Sequence, residues 1–164
     1  MSFRRRLLML SSQEKDPSQI PFTVEALGSG NLSWALGSKT VQYSKNGGTW
    51  TNMTSATTIS VVSGDTVQFK GTNSSYSGNT FSSTANFNVK GNMESLHSGD
   101  NYQSINTNNS SQYRGLFSGC TRLISAENLV LLRVSTVANY AAYDMFRGCT
   151  NLTKSPSLAA SAIG

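Results

Sequence analysis

The residues able to do chemistry are few, and their spacing argues against catalysis. His97 is the only histidine and stands in Ser95-Leu96-His97-Ser98-Gly99-Asp100. Serine, histidine and aspartate together can perform acyl transfer, the imidazole taking the hydroxyl proton while the carboxylate holds the ring. Ser98, His97 and Asp100 crowd into one turn, without the elbow motif that exposes a nucleophilic serine. We assign them no catalytic role. The carboxylates Glu25, Asp65, Glu94, Asp100, Glu127 and Asp144 stand singly along the chain. Two of them could still meet in space as a glycosidase pair, which needs roughly 5–10 Å between carboxyl groups. No phosphate-binding glycine loop or dinucleotide fingerprint occurs. The expectation is a protein that is not an enzyme, with no catalytic residue, no cofactor and no bound metal.

The two cysteines, Cys120 and Cys149, lie 29 residues apart in a phrase that occurs twice. Leu116-Phe117-Ser118-Gly119-Cys120-Thr121-Arg122-Leu123 returns as Met145-Phe146-Arg147-Gly148-Cys149-Thr150-Asn151-Leu152. Repetition at a fixed period marks units that stack because none buries its apolar face alone. Phe117, Cys120, Leu123, Phe146, Cys149 and Leu152 are therefore expected to form the repeat core. Equivalent positions of adjacent coils are close enough for a disulfide, but small buried thiols in a ladder are the simpler reading. Two cysteines with one distant histidine make no zinc site. About three repeats are needed for a stable stack, so the solenoid begun at 113–164 is expected to continue.

The elements around this phrase are polar and mostly uncharged. Charged residues make up 13% of the chain, against about 25% in average domains. The net charge is +5, of which +3 comes from Arg4, Arg5 and Arg6. No basic face with interleaved aromatics follows, so nucleic acid is not an expected partner. Residues 1–10, Met-Ser-Phe-Arg-Arg-Arg-Leu-Leu-Met-Leu, carry too short an apolar run for a signal peptide, which needs about 7–15 residues. No stretch is long enough to span a membrane. We read 1–20 as an anchoring arm in which Phe3, Leu7, Leu8, Met9 and Leu10 dock on a partner and Arg4, Arg5 and Arg6 meet acidic groups there.

From Pro21 onward apolar residues alternate with polar ones. Phe22–Leu27, Leu32–Leu36, Thr40–Ser44, Thr58–Val61, Thr66–Lys70 and Ala85–Lys90 read as strands, spaced about ten residues apart as in a β-sandwich. Lys45-Asn46-Gly47-Gly48 predicts a type I′ hairpin turn into Thr49–Thr51. Trp34, Tyr43, Trp50, Phe69, Phe81 and Phe87 are the expected core. The chain thus divides into an arm at 1–20, a sandwich at 21–96, a connector at 97–112 and repeats at 113–164, with Met93, Leu96 and Ile105 as the aliphatic anchors of the polar stretch 93–111. The fold class is mainly β.

Phe-x-Gly-Cys-Thr-x-Leu, present twice, resembles the BspA-type leucine-rich repeat. In that family a short strand of each coil joins a sheet, with Phe, Cys and Leu turned inward. The period here is longer, because Val130–Tyr140 is inserted. The order of parts also resembles surface and fibre proteins of gut Bacteroidales and their tailed, crAss-like phages. It combines Met-Ser-Phe-Arg-Arg-Arg, a small Ig-like β-domain with Tyr43–Trp50 and Gly64–Gly71, and then the repeats. The resemblance implies a virion head or tail fibre. Its arm would bind a capsid or tail protein, and its repeats would meet a host-surface glycan or protein. It further implies a homo-oligomer. A bacterial cell-surface adhesin is the alternative, and a glycan-binding module a further one.

Overall fold

The computed structural model describes residues 15–131, 136–157 and 162–163. Arm residues Phe3 to Leu10 lie outside the described residues. The chain is mainly β. After a 3₁₀ turn at Pro17–Gln19 come β1 (Phe22–Ala26), β2 (Gly30–Trp34), β3 (Val41–Lys45), β4 (Thr51–Met53), β5 (Thr58–Val61), β6 (Thr66–Gly71), β7 (Phe81–Ser83) and β8 (Phe87–Asn92). A single helical turn, α1 (Ser95–Ser98), leads into a 3₁₀ turn at Gly99–Asn101. Then follow β9 (Leu123–Val130), β10 (Thr136–Val137) and β11 (Ala162–Ile163). One sheet has the order β4-β3-β6-β1-β8-β9 and a second the order β5-β2-β7; β10 and β11 form a short parallel pair.

The two larger sheets pack face to face because every second residue of their strands is apolar. Phe22, Val24, Val67, Phe69, Phe87 and Val89 of the six-stranded sheet are buried against Leu32, Trp34, Ile59, Val61 and Phe81 of the other. Trp34 is central: its ring meets Phe69, Tyr76 and Phe81 at 5.4–5.6 Å between centroids. Its indole N–H donates to the Asn79 carbonyl, which settles the one polar atom of the ring. Tyr43 is only half-buried against this core. Trp50 is not in it: the ring lies half-exposed with the Lys70 ammonium 4.5 Å from its centroid.

The Asn46-Gly47 turn forms with φ of 52° and 71°, and Gly48 N–H donates to the Lys45 carbonyl. It does not close a two-residue hairpin. Strand pairing resumes only at Tyr43 with Thr51, since Gly48, Thr49 and Trp50 bulge out between the strands. Ile105 is exposed, whereas Leu96 is fully buried, so the connector is anchored at its start. At the N-terminal side Ile20-Pro21 crosses directly over Gly91, whose φ is +86°; a Cβ there would overlap the Pro21 carbonyl, so only glycine serves.

Candidate functional site: two stacked copies on a sandwich rung

All strand pairs of the six-stranded sheet are antiparallel except β8 with β9. That parallel pair joins the sandwich to the first copy of the repeated phrase. Phe87 aligns with Leu123 and Asn92 with Val130. The second copy joins the outer edge of β9 through a parallel bridge between Ser125 and Lys154. One apolar cluster runs without a break from Phe22 to Cys149.

The two copies repeat each other bond for bond. Phe117 and Phe146 carbonyls accept from the Cys120 and Cys149 N–H groups, and Cys120 and Cys149 carbonyls accept from Leu123 and Leu152. Between copies, Tyr113, Gly115, Phe117 and Gly119 donate to Ala141, Tyr143, Met145 and Arg147. The Phe117 and Phe146 rings stack at 5.7 Å and 12°. Positive φ recurs at the same three places in each copy: Ser111, Gly115 and Gly119, then Tyr140, Asp144 and Gly148.

The sandwich supplies a third step beneath them. Cys149 Sγ donates to the Phe117 carbonyl at 3.0 Å, and Cys120 Sγ donates in the same way to the Phe81 carbonyl at 2.8 Å. Tyr76, Phe81 and Phe87 N–H groups donate to Gln112, Leu116 and Arg122. Residues 76–92 thus occupy the position of a preceding coil, although Phe81-Ser82-Ser83-Thr84 lacks the glycine and cysteine of the phrase. Nothing in its sequence signalled this role except the phenylalanine.

Phe117, Cys120, Leu123 and Cys149 are buried, while Phe146 and Leu152 are partly buried on the outer coil. Both cysteines are free. Burial pushes the Cys120 thiol up to about 12 and raises Cys149 too. Thiols held protonated in this way are poor nucleophiles and act here as small apolar donors.

The Ser98, His97 and Asp100 trio is pulled apart. Ser98 Oγ donates to Glu94 Oε1 at 2.6 Å, and both Asp100 oxygens accept from Lys70 Nζ at 2.9 Å. His97 is buried between Tyr76 of the sandwich and Tyr113 of the first copy, with ring centroids at 5.5 and 5.0 Å. Its Nδ1 meets the Asn73 carbonyl, which makes Nδ1 the protonated nitrogen, and its Nε2 is buried without a partner. Burial lowers its pKa. Beside it lies a polar hub that sequence reasoning missed. Buried Glu94 accepts through Oε2 from the Thr107 amide and hydroxyl, and Gln112 Nε2 reaches Thr107 Oγ1 and the Tyr113 hydroxyl. The hub ties the connector into the junction.

The other carboxylates are engaged one by one: Glu25 with Lys90, Asp65 with Lys45, Glu127 with Lys154, and Asp144 with Arg147. Asparagine 46, Lys45 and the Val62 amide hold the Asp65 carboxyl down at about 2. Among the described residues no group of three or more His, Cys, Asp or Glu side chains could hold a metal ion. Among them, too, no helix is long and apolar enough to cross a membrane. Among the hollows on the described surface, two adjoin groups that bear charge. One, of about 340 Å³, is lined by Gln42, Lys70, Thr72 and Asp100; the other, of about 290 Å³, lies where the sandwich loop 77–80 meets both copies. No family model matches the chain, and neither a curated protein nor a solved structure does.

Proposed function

We propose that this chain is a structural protein of a phage virion, a head or tail fibre that presents a repeat domain for attachment to a host surface. In this reading an Ig-like sandwich carries the start of a leucine-rich-repeat solenoid, and the basic-apolar arm at 1–20 anchors it to a capsid or tail protein. The observation that carries the reading is the shared ladder: the same Cys-to-carbonyl bond links the sandwich to the first copy and the first copy to the second. Such a junction transmits position rigidly, which suits projection from a particle. Among the described residues Ser98 and Asp100 are held by Glu94 and Lys70 rather than by His97.

The anchoring part is tested by deleting residues 1–12. The truncated chain is expected to keep the circular-dichroism spectrum and melting curve of the full chain while disappearing from purified particles. Normal incorporation would refute the anchor. The bacterial adhesin is the second reading, favoured by the resemblance of the repeats to BspA-type proteins. Display of the chain on cells that carry no phage would establish the adhesin instead.

A further inference from the structure

The second copy departs from the first where its coil faces outward. Two of its three left-handed positions hold Tyr140 (φ 58°) and Asp144 (φ 55°), where the first copy has Ser111 and Gly115. Tyrosine seldom adopts this conformation, so the turn of the chain is not what calls for these side chains. They point instead to a surface. Tyr140 and Tyr143 are 63% and 49% exposed and stand at 89° to each other, 5.5 Å apart. The Arg114 guanidinium of the first copy lies over the Tyr143 ring at 5.5 Å. Arg147, 75% exposed, is 3.7 Å from Asp144. Beside them is the hollow of about 290 Å³, walled by Arg114, Ser118 and Asp144 with Ser77 and Thr80 of the sandwich.

We propose that this face binds an acidic saccharide. The tyrosine faces offer a platform for the C–H side of a pyranose ring, an apolar contact that tolerates hydroxyls around its edge. Ser77, Thr80 and Ser118 can exchange hydrogen bonds with ring hydroxyls, and Asp144 can accept from them. Two arginines against one aspartate leave the face cationic, and no carboxylate pairs with Arg114 among the described residues. A guanidinium takes a carboxylate in a two-pronged contact. The size of the hollow is at the lower end for ligand clefts, about 300 Å³. It is small and hydroxyl-lined, which fits one or two sugar units better than the apolar anchor of a protein partner.

The inference rests on the attachment reading for its biological sense, but its test does not depend on particles. The full chain is titrated with 3′-sialyllactose and tetragalacturonate, and in parallel with lactose and polyglutamate. At least one acidic sugar is expected to bind about tenfold or more tightly than lactose, as loss of a charge-assisted contact predicts. Arg114→Gln and Tyr143→Ala, both at exposed positions, should each weaken it about tenfold with unchanged melting temperature. Asp144→Gly should melt no lower than the parent, because it places glycine at the left-handed position that Gly115 holds in the first copy. Equal binding of lactose, binding of polyglutamate alone, or no binding to any probe would each overturn the proposal. Absence of the chain from virions would overturn the fibre reading and leave these titrations unaffected.

Discussion

The two interfaces that flank the first copy use the same ladder and differ in what surrounds it. Below, toward the sandwich, Phe117 packs on Phe81 at 5.9 Å and on Phe22 at 6.0 Å, and the strand pairing of β8 with β9 runs from Phe87 to Asn92. The Glu94 hub and His97 close the side of this interface. Above, toward the second copy, the described contacts include the stacked Phe146 ring, a row of backbone bonds and the bridge of Ser125 with Lys154, and Phe146 and Leu152 are only partly buried. The ladder fixes register in both places. Burial differs, and burial is what stabilises. A repeat that rests on a finished aromatic core is held as part of that core, whereas the next one depends on whatever lies on either side of it.

Phe117→Ala should break both interfaces at once. The side chain is fully buried among Phe22, Phe81 and Phe146. Its loss should destabilise the whole chain by about 3–5 kcal/mol, measured by urea unfolding. If only the second copy were lost and the sandwich unfolded as before, the two regions would be separate folding units and the shared core would carry no weight. Phe146→Ala should cost less, about 1–2 kcal/mol, because its ring is only partly buried. Hydrogen exchange should speed up at the amides of Phe117 and Gly119, which donate to the second copy, and stay slow at Phe81 and Phe87.

The copies and their inward residues were legible because Phe, Gly, Cys and Leu fall at equal offsets and each has one physical task. The sandwich was legible from strands of alternating polarity. Three features were not. The step at 76–92 has the backbone geometry of a coil without its sequence, because Phe81 alone suffices to accept the Cys120 thiol and fill the space above it. Trp50 read as core by its type, yet the bulge at Gly48–Trp50 turns it toward Lys70. Glu94 sits in a polar stretch that gives no sign of burial; only the fold brings Ser98 and Thr107 to it. The exposed face at Tyr140 and Tyr143 begins at the last residue of an insertion that reads in the sequence as a departure from the repeat.

Acid should sharpen the contrast, because the lower interface holds a buried imidazole, that of His97. His97 faces Tyr76 from the sandwich, Tyr113 from the first copy, and the more distant charges of Glu94 and Lys39. Its pKa in the fold is below the ordinary 6.5, so the unfolded chain binds the proton more readily. Stability is then full above about 6.5 and declines as pH falls below it. Unfolding followed from pH 7.5 to 5 should show this slope, and His97→Gln should flatten it. Asp65, at the far end of the sandwich, acts in a lower window: its contribution is present above 3.8 and fades as pH approaches about 2. A slope that survives in His97→Gln would move the titrating group away from the junction.

The smallest effect belongs to the outer edge of the upper interface. Lys154 Nζ and Glu127 Oε2 lie 2.7 Å apart, which is as short as ion pairs become, but their side chains are 58% and 54% exposed. Water and salt screen such a pair, and ordering two long side chains costs entropy. Its net worth is about 0–1 kcal/mol. Lys154→Ala should therefore leave the melting temperature nearly unchanged, and what change there is should vanish in about 1 M salt, where screening acts within about 3 Å. The backbone bonds between Ala126 and Lys154 and between Thr153 and Ile124 would remain. A larger, salt-resistant loss would mean that this edge is held by charge, and the division into a buried lower interface and a backbone-held upper one would have to be redrawn.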